Sequence, residues 1–201
     1  AAPMGTVPPP NTIHEGVALT MAINDGVNPF NGAQCPVRRG HLYEMQSMDE
    51  VKAAFEKIAT WMLTWSATLN NYTEHEYPRL FPFPNLSIST EGCMESGKDV
   101  SEGGAKYNSY GGTATGLATT ADSLTALKYM IYDKKLITAE EYLKAILANW
   151  EGYEPLRQRV LNEVPHFGNN DPYADRFMTY VIDTYYDSCK AVSGRYYKLF
   201  K

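Results

Sequence analysis

The chain has 201 residues, enough for one domain of ordinary size with its own hydrophobic core. Its 18 Lys and Arg against 23 Asp and Glu leave a net charge of -5, and no stretch gathers basic residues into a phosphate-binding surface, which argues against nucleic acid as a partner. Hydrophobic residues make up 44% of the chain, yet charged residues, Asn and Gly interrupt every apolar run before it could span a bilayer, so no membrane segment is expected.

The opening residues, Ala1-Ala2-Pro3-Met4-Gly5 and then Pro8-Pro9-Pro10, read as a stiff, extended lead-in. They have none of the basic-then-apolar layout of a signal peptide and look cut from something longer. Thr12 with Glu15 makes a capping-box pattern ahead of Val17, Met21 and Ile23, which predicts a helix stopping at Asn24-Asp25-Gly26. Pro29, Gly32, Pro36 and Gly40 punctuate residues 27–40 as a long loop. Ser47 with Glu50 is a second capping box. Beyond it Val51, Phe55, Ile58, Met62, Trp65 and Leu69 recur at three- and four-residue steps, one face of the strongest helix in the sequence, expected to lie in the core.

Three prolines between Tyr77 and Pro84 forbid a helix throughout and predict an extended lead into a short strand, Leu86-Ser87-Ile88-Ser89. A glycine-rich, loop-like stretch follows from Gly92 to Gly116. Helical spacing resumes at Leu124, Leu127 and Ile131. A third capping box, Thr138 with Glu141, opens a stretch carrying Tyr142, Leu143, Ile146, Leu147 and Trp150. Pro155 and Pro172 stand where first helical positions are expected, the latter after the capping residue Asp171. The expected fold is α/β and predominantly helical, with at least five helices and one or two short strands.

Residues Gly92-Cys93-Met94-Glu95-Ser96-Gly97-Lys98-Asp99 fit a phosphate-loop template only through the lysine. Asp99 stands where a magnesium-binding hydroxyl is required, and Glu95 adds charge of the wrong sign, so nucleotide hydrolysis is disfavoured. His14, His41, His75 and His166 are scattered without metal-ligand spacing and read as surface or hydrogen-bonded structural residues. The three cysteines, Cys35, Cys93 and Cys189, form no CxxC pair; their odd number points to a reducing compartment. Cys35 and Cys189 read as ordinary buried thiols. The triplets Asn71-Tyr72-Thr73 and Asn85-Leu86-Ser87 match a glycosylation pattern that arises often by chance.

The stretch Glu91-Gly92-Cys93-Met94-Glu95-Ser96-Gly97-Lys98-Asp99, continued by Gly103-Gly104-Ala105-Lys106-Tyr107-Asn108, resembles a block of the glycyl radical enzymes. Three further blocks match in order: Asn24-Asp25-Gly26-Val27-Asn28-Pro29, Ala121-Asp122-Ser123-Leu124-Thr125-Ala126-Leu127-Lys128, and Phe167-Gly168-Asn169-Asn170-Asp171. Four ordered blocks are far more specific than any one of them. The resemblance points to the pyruvate formate-lyase-like enzymes and their dehydratase, decarboxylase and C–N lyase branch, with residues 1–201 as one partial domain, an internal segment of a ten-stranded α/β barrel.

In that family a backbone glycine stores a radical and passes it to a cysteine, whose thiyl abstracts hydrogen from substrate in a dry cavity. Cys93 sits in a GCxE sequence like the radical cysteine, but its Gly-Lys-Asp continuation matches the downstream, non-radical block. Counting back from Asn24 puts the radical cysteine roughly six residues ahead of Ala1. The glycyl motif is expected beyond Lys201; Arg159-Val160 runs into Leu161-Asn162 and has no glycine. The resemblance thus assigns no catalytic, cofactor or metal residue to this chain, which is expected to be inactive alone. For the parent it implies a radical S-adenosylmethionine activating enzyme with an iron–sulfur cluster, a small-molecule substrate, a homodimer, and the cytoplasm of an anaerobic bacterium. Proline near the place of the diol-binding acid, in Thr6-Val7-Pro8-Pro9-Pro10-Asn11, disfavours a vicinal diol or choline and suggests an arylacetate or a hydrocarbon adding to fumarate. The alternative from another class is a binding or scaffold module that kept this framework without the chemistry.

Overall fold

The computed structural model describes residues 11–108 and 112–190. In chain order these form strand β1 (Asn11–His14), α1 (Glu15–Ala22), α2 (Met48–Leu80), α3 (Pro84–Ser89), α4 (Cys93–Ser96), strand β2 (Gly112–Thr115), α5 (Leu117–Leu127), α6 (Ala139–Leu147), α7 (Glu154–Glu163) and α8 (Pro172–Lys190). Single turns of 3-10 helix occur at Leu42–Glu44 and Val100–Glu102, and a π-helical turn at Lys128–Asp133 extends α5. The two strands pair in a two-stranded sheet. The chain divides into two compact units, one of residues 14–62 and 114–186, the other of the described parts of 1–13, 63–113 and 187–201.

The larger unit is built around α1, the first half of α2, α5, α6 and α8. Its core contains Leu19, Leu42, Val51, Phe55, Ile58, Leu124, Leu127, Met130, Phe177 and Val181, all within 3% of full burial. Three of the expected helix starts hold. Ser47 Oγ accepts from Glu50 N at 3.3 Å, Thr138 Oγ1 accepts from Glu141 N at 3.2 Å, and Asp171 Oδ1 accepts from Tyr173 N at 2.8 Å. Pro155 and Pro172 both fall in the first turn of their helices.

The fourth expected start is corrected. Thr12 belongs to β1, and α1 begins at Glu15 after His14, without a side-chain cap. Pairing with β2 holds the backbone at Thr12 extended, and Glu15 is buried instead of reaching back to cap. The helix ends as expected: Asp25 and Gly26 both take left-handed backbone angles, φ 48° and 79°.

The smaller unit holds the second half of α2 and the short elements from α3 to the 3-10 turn. Helix α2 runs two residues past Pro78, then Phe81, Pro82 and Phe83 leave the helix, as the prolines require. The expected strand at residues 86–89 is instead the body of α3. Pro84 opens that helix, Ser87 N donates to the Phe83 carbonyl at 2.9 Å, and Thr90 Oγ1 donates to the Leu86 carbonyl, four residues earlier, at 2.8 Å. Four alternating residues are too few to separate strand from helix by period alone. Without a preceding strand, the phosphate-loop reading of residues 92–99 loses its remaining support.

Candidate functional site

Each of the four blocks that carry the resemblance turns on one aspartate accepting backbone hydrogen bonds. Asp25 Oδ1 accepts from Arg39 N at 3.1 Å and Gly40 N at 2.8 Å, while Oδ2 takes the Arg38 guanidinium. That guanidinium holds the Asp25 carboxyl below the usual carboxylate range. The 27–40 loop is thereby closed back onto the end of α1. Asp99 caps the 3-10 turn through Ser101 N and Oγ and ties it to α3 through Phe83 N at 3.0 Å and Ser87 Oγ at 2.6 Å. Burial pushes the Asp99 carboxyl up, but these donors outweigh it and its net shift is downward. Asp122 on α5 accepts from Phe167 N at 2.7 Å, joining the third block to the fourth, and Asp171 starts α8. The signature is one of loop closure.

Cys93 sits in the first turn of α4, 3% exposed, among Val100, Ala105, Phe83 and Leu86. Burial, with Asp99 and Glu95 nearby, pushes its thiol up. Glu95, the acid of the GCxE sequence, accepts from Gly92 N at 3.0 Å and so serves as a helix cap. Gly92 adopts φ 97°, and a Cβ on Gly104 would collide with the Lys98 carbonyl, so both glycines are needed to fold this block tightly. Cys35 and Cys189 are buried as expected. The histidines lie apart: His41 stacks on Tyr43, His75 meets Glu76, and His166 lies beside Asp122. Among the described residues no group of three His, Cys, Asp or Glu is placed to hold a metal ion. The proline stretch at residues 6–10 lies outside the described residues.

The larger unit contains a cavity of about 460 Å³ between α1, α5, α6 and α7. Leu19 and Ile23 of α1, Leu127 of α5, Tyr142 and Ile146 of α6 and Val160 of α7 make its apolar wall. Trp150 closes one side, edge-on to Tyr142 at 5.9 Å between ring centroids. Thr20, Thr119, Asp122, Ser123 and His166 supply the polar groups. None of this was legible from spacing, because its walls come from segments more than a hundred residues apart. Trp150, expected in the helical stretch that Thr138 opens, lies past the helix end with φ 66°, a backbone region that bulky side chains rarely enter.

A second buried group also escaped sequence reasoning. Glu15 is 1% exposed, one carboxylate oxygen has no hydrogen-bond partner, and burial pushes its pKa up to about 7. Its spacing from Thr12 marked it only as a capping-box partner.

The pyruvate formate lyase-like family model matches residues 14–198. Trans-4-hydroxy-L-proline dehydratase of Clostridioides difficile is 36% identical over 177 residues, covering 88% of this chain and 22% of that protein. (2S)-3-sulfopropanediol dehydratase of Klebsiella oxytoca is 36% identical over 178 residues, 88% of this chain and 21% of its own length. The crystal structure of the C. difficile hydroxyproline dehydratase superimposes with a TM-score of 0.82 at 35% identity, over 92% of this chain and 23% of that one. The glycerol dehydratase of Clostridium butyricum, at 24% identity, shares the fold with a TM-score of 0.80. The architecture is a mostly helical α/β segment of the glycyl radical enzyme barrel. The chain belongs to the pyruvate formate lyase-like family of glycyl radical enzymes, in its dehydratase and lyase branch. It spans about a fifth of the length of these curated relatives.

Proposed function

We propose that residues 1–201 are one internal part of a glycyl radical dehydratase domain, supplying framework while the radical cysteine and glycine are carried elsewhere in a longer protein. The observation that carries this reading is the match along 88% of the chain to two dehydratases at 36% identity. Cys93 fits the framework role: its thiol is enclosed by apolar side chains and its companion acid is engaged as a cap. The reaction class favoured is elimination of water from a small hydroxylated substrate. That differs from the arylacetate or hydrocarbon suggested by the proline stretch; an arylacetate enzyme, the 4-hydroxyphenylacetate decarboxylase of C. difficile, is 28% identical over 46% of this chain. The whole protein would draw its radical from a radical S-adenosylmethionine activating enzyme and work as a homodimer in an anaerobic cytoplasm.

The test is the intact mass of the protein from its source, followed by anaerobic activation and electron paramagnetic resonance. A polypeptide several times larger than 22.5 kDa that acquires a glycyl radical and dehydrates a hydroxylated substrate supports the reading. A mature protein of 22.5 kDa, or a longer one in which replacing Cys93 by alanine abolishes turnover with the radical intact, overturns it.

A further inference from the structure

We propose that the cavity between α1, α5, α6 and α7 is a binding site for a small organic amine, its ammonium held beside Asp122 and its apolar body against Tyr142 and Trp150. The inference is independent of radical chemistry and rests on which hydrogen-bonding capacity the lining leaves over. Thr20 Oγ1 donates to the Gly16 carbonyl at 2.8 Å, and Ser123 Oγ to the Thr119 carbonyl at 2.7 Å. With their hydrogens committed to helix carbonyls, both hydroxyls offer lone pairs only. Asp122 accepts from Phe167 N through Oδ1, and its Oδ2 lies 3.5 Å from His166 Nδ1, too long for a strong hydrogen bond, so acceptor capacity remains on the carboxylate. The other His166 nitrogen is occupied, 3.0 Å from the Leu161 carbonyl.

The polar side of the cavity is therefore rich in acceptors and carries negative charge. An anion would be repelled by the Asp122 carboxylate, and a hydrocarbon would cover that carboxylate without replacing its water. An ammonium group brings three donors and the opposite charge. The rings of Tyr142 and Trp150, perpendicular to each other, give the apolar body an aromatic wall. The left-handed backbone at Trp150 is what brings the indole round from the end of α6 to this wall. A volume of about 460 Å³ is ample for a single-ring molecule.

Three probes of one shape separate the possibilities: 2-phenylethylammonium, 2-phenylethanol and phenylacetate, titrated into the full-length protein at neutral pH. Calorimetry gives affinity, and the indole N–H resonance of Trp150 gives location. The ammonium is expected to bind at least about tenfold more tightly than the alcohol, with phenylacetate weakest, and to shift the Trp150 signal. Asp122→Asn, which keeps an acceptor for Phe167 N, should erase that preference and leave alcohol binding in place. Thr20→Val, far in sequence from the 166–168 turn, should weaken the ammonium alone by about threefold, and serves where Asp122→Asn unfolds the turn. Ile146→Trp, filling the cavity, should remove binding of all three. Equal binding of the three probes, an unmoved Trp150 resonance, or ammonium binding indifferent to Asp122→Asn and Thr20→Val overturns the proposal.

Discussion

Asp99 accepts from four donors, and its replacement strands Phe83 N and Ser101 N together. Asp99→Ala is expected to cost about 2–4 kcal/mol, seen as early loss of hydrogen-exchange protection across residues 83–106; unchanged protection there would show the staple to be dispensable. Glu15 behaves in the opposite sense to such ionised aspartates. Because burial raises its carboxyl from 4.5 to about 7, its share of stability is complete below pH 4.5 and is lost as pH rises through about 7. Glu15→Gln should be about 3 kcal/mol more stable than the parent chain at pH 8 and no more stable at pH 4, measured by urea unfolding at both. A difference independent of pH would mean that the carboxyl finds a partner. The aspartates were visible in the sequence as a family signature, but their task was not, since a loop staple is defined by backbone donors that no residue code records. Glu15 was misread because its local context, three residues after a threonine, is also that of a cap.

Helix α2 shows how far periodicity reaches and where it stops. Val51, Phe55 and Ile58, the first half of the expected stripe, are within 1% of full burial; Trp65 and Leu69, its continuation, are 63% and 58% exposed. Leu63, Ala67 and Asn70 are buried in that second half instead. The 3.6-residue repeat identifies a helix face without saying which face the tertiary structure covers. Phe55→Ala should accordingly cost about 3–5 kcal/mol, and Leu69→Gln less than about 0.5 kcal/mol, in denaturant titrations. Comparable losses from both would restore the single-stripe reading. Where side-chain caps mark an end, at Ser47, Thr138 and Asp171, the sequence was legible to the residue, because a cap is a local interaction. The strand expected at residues 86–89 failed because four residues are too few to show a period, and a contact such as Ser87 Oγ to Asp99, a dozen residues on, is not local.

At the scale of the whole molecule, no described helix is long and apolar enough to cross a membrane, yet the smaller unit exposes Trp65, Leu69, Tyr72, Phe81, Ile88 and Met94. Apolar surface of that extent promotes association. The 201-residue chain by itself is expected to sediment as a mixture of species, and the combined Trp65→Lys, Leu69→Lys and Ile88→Lys variant mostly as monomer; a monodisperse parent chain would refute this. The amine-binding cavity was out of reach of sequence reading for a matching reason, since only folding brings Thr20, Asp122 and Trp150 to one place.

The sulfur atoms offer a last consequence. Cys35 in the larger unit and Cys93 and Cys189 in the smaller are each no more than 3% exposed, and none forms a disulfide. An alkylating reagent applied in brief pulses would therefore label a given cysteine only while its own surroundings have opened. Peptide mapping after such pulses turns three inert side chains into clocks, one timing the breathing of the larger unit and two that of the smaller.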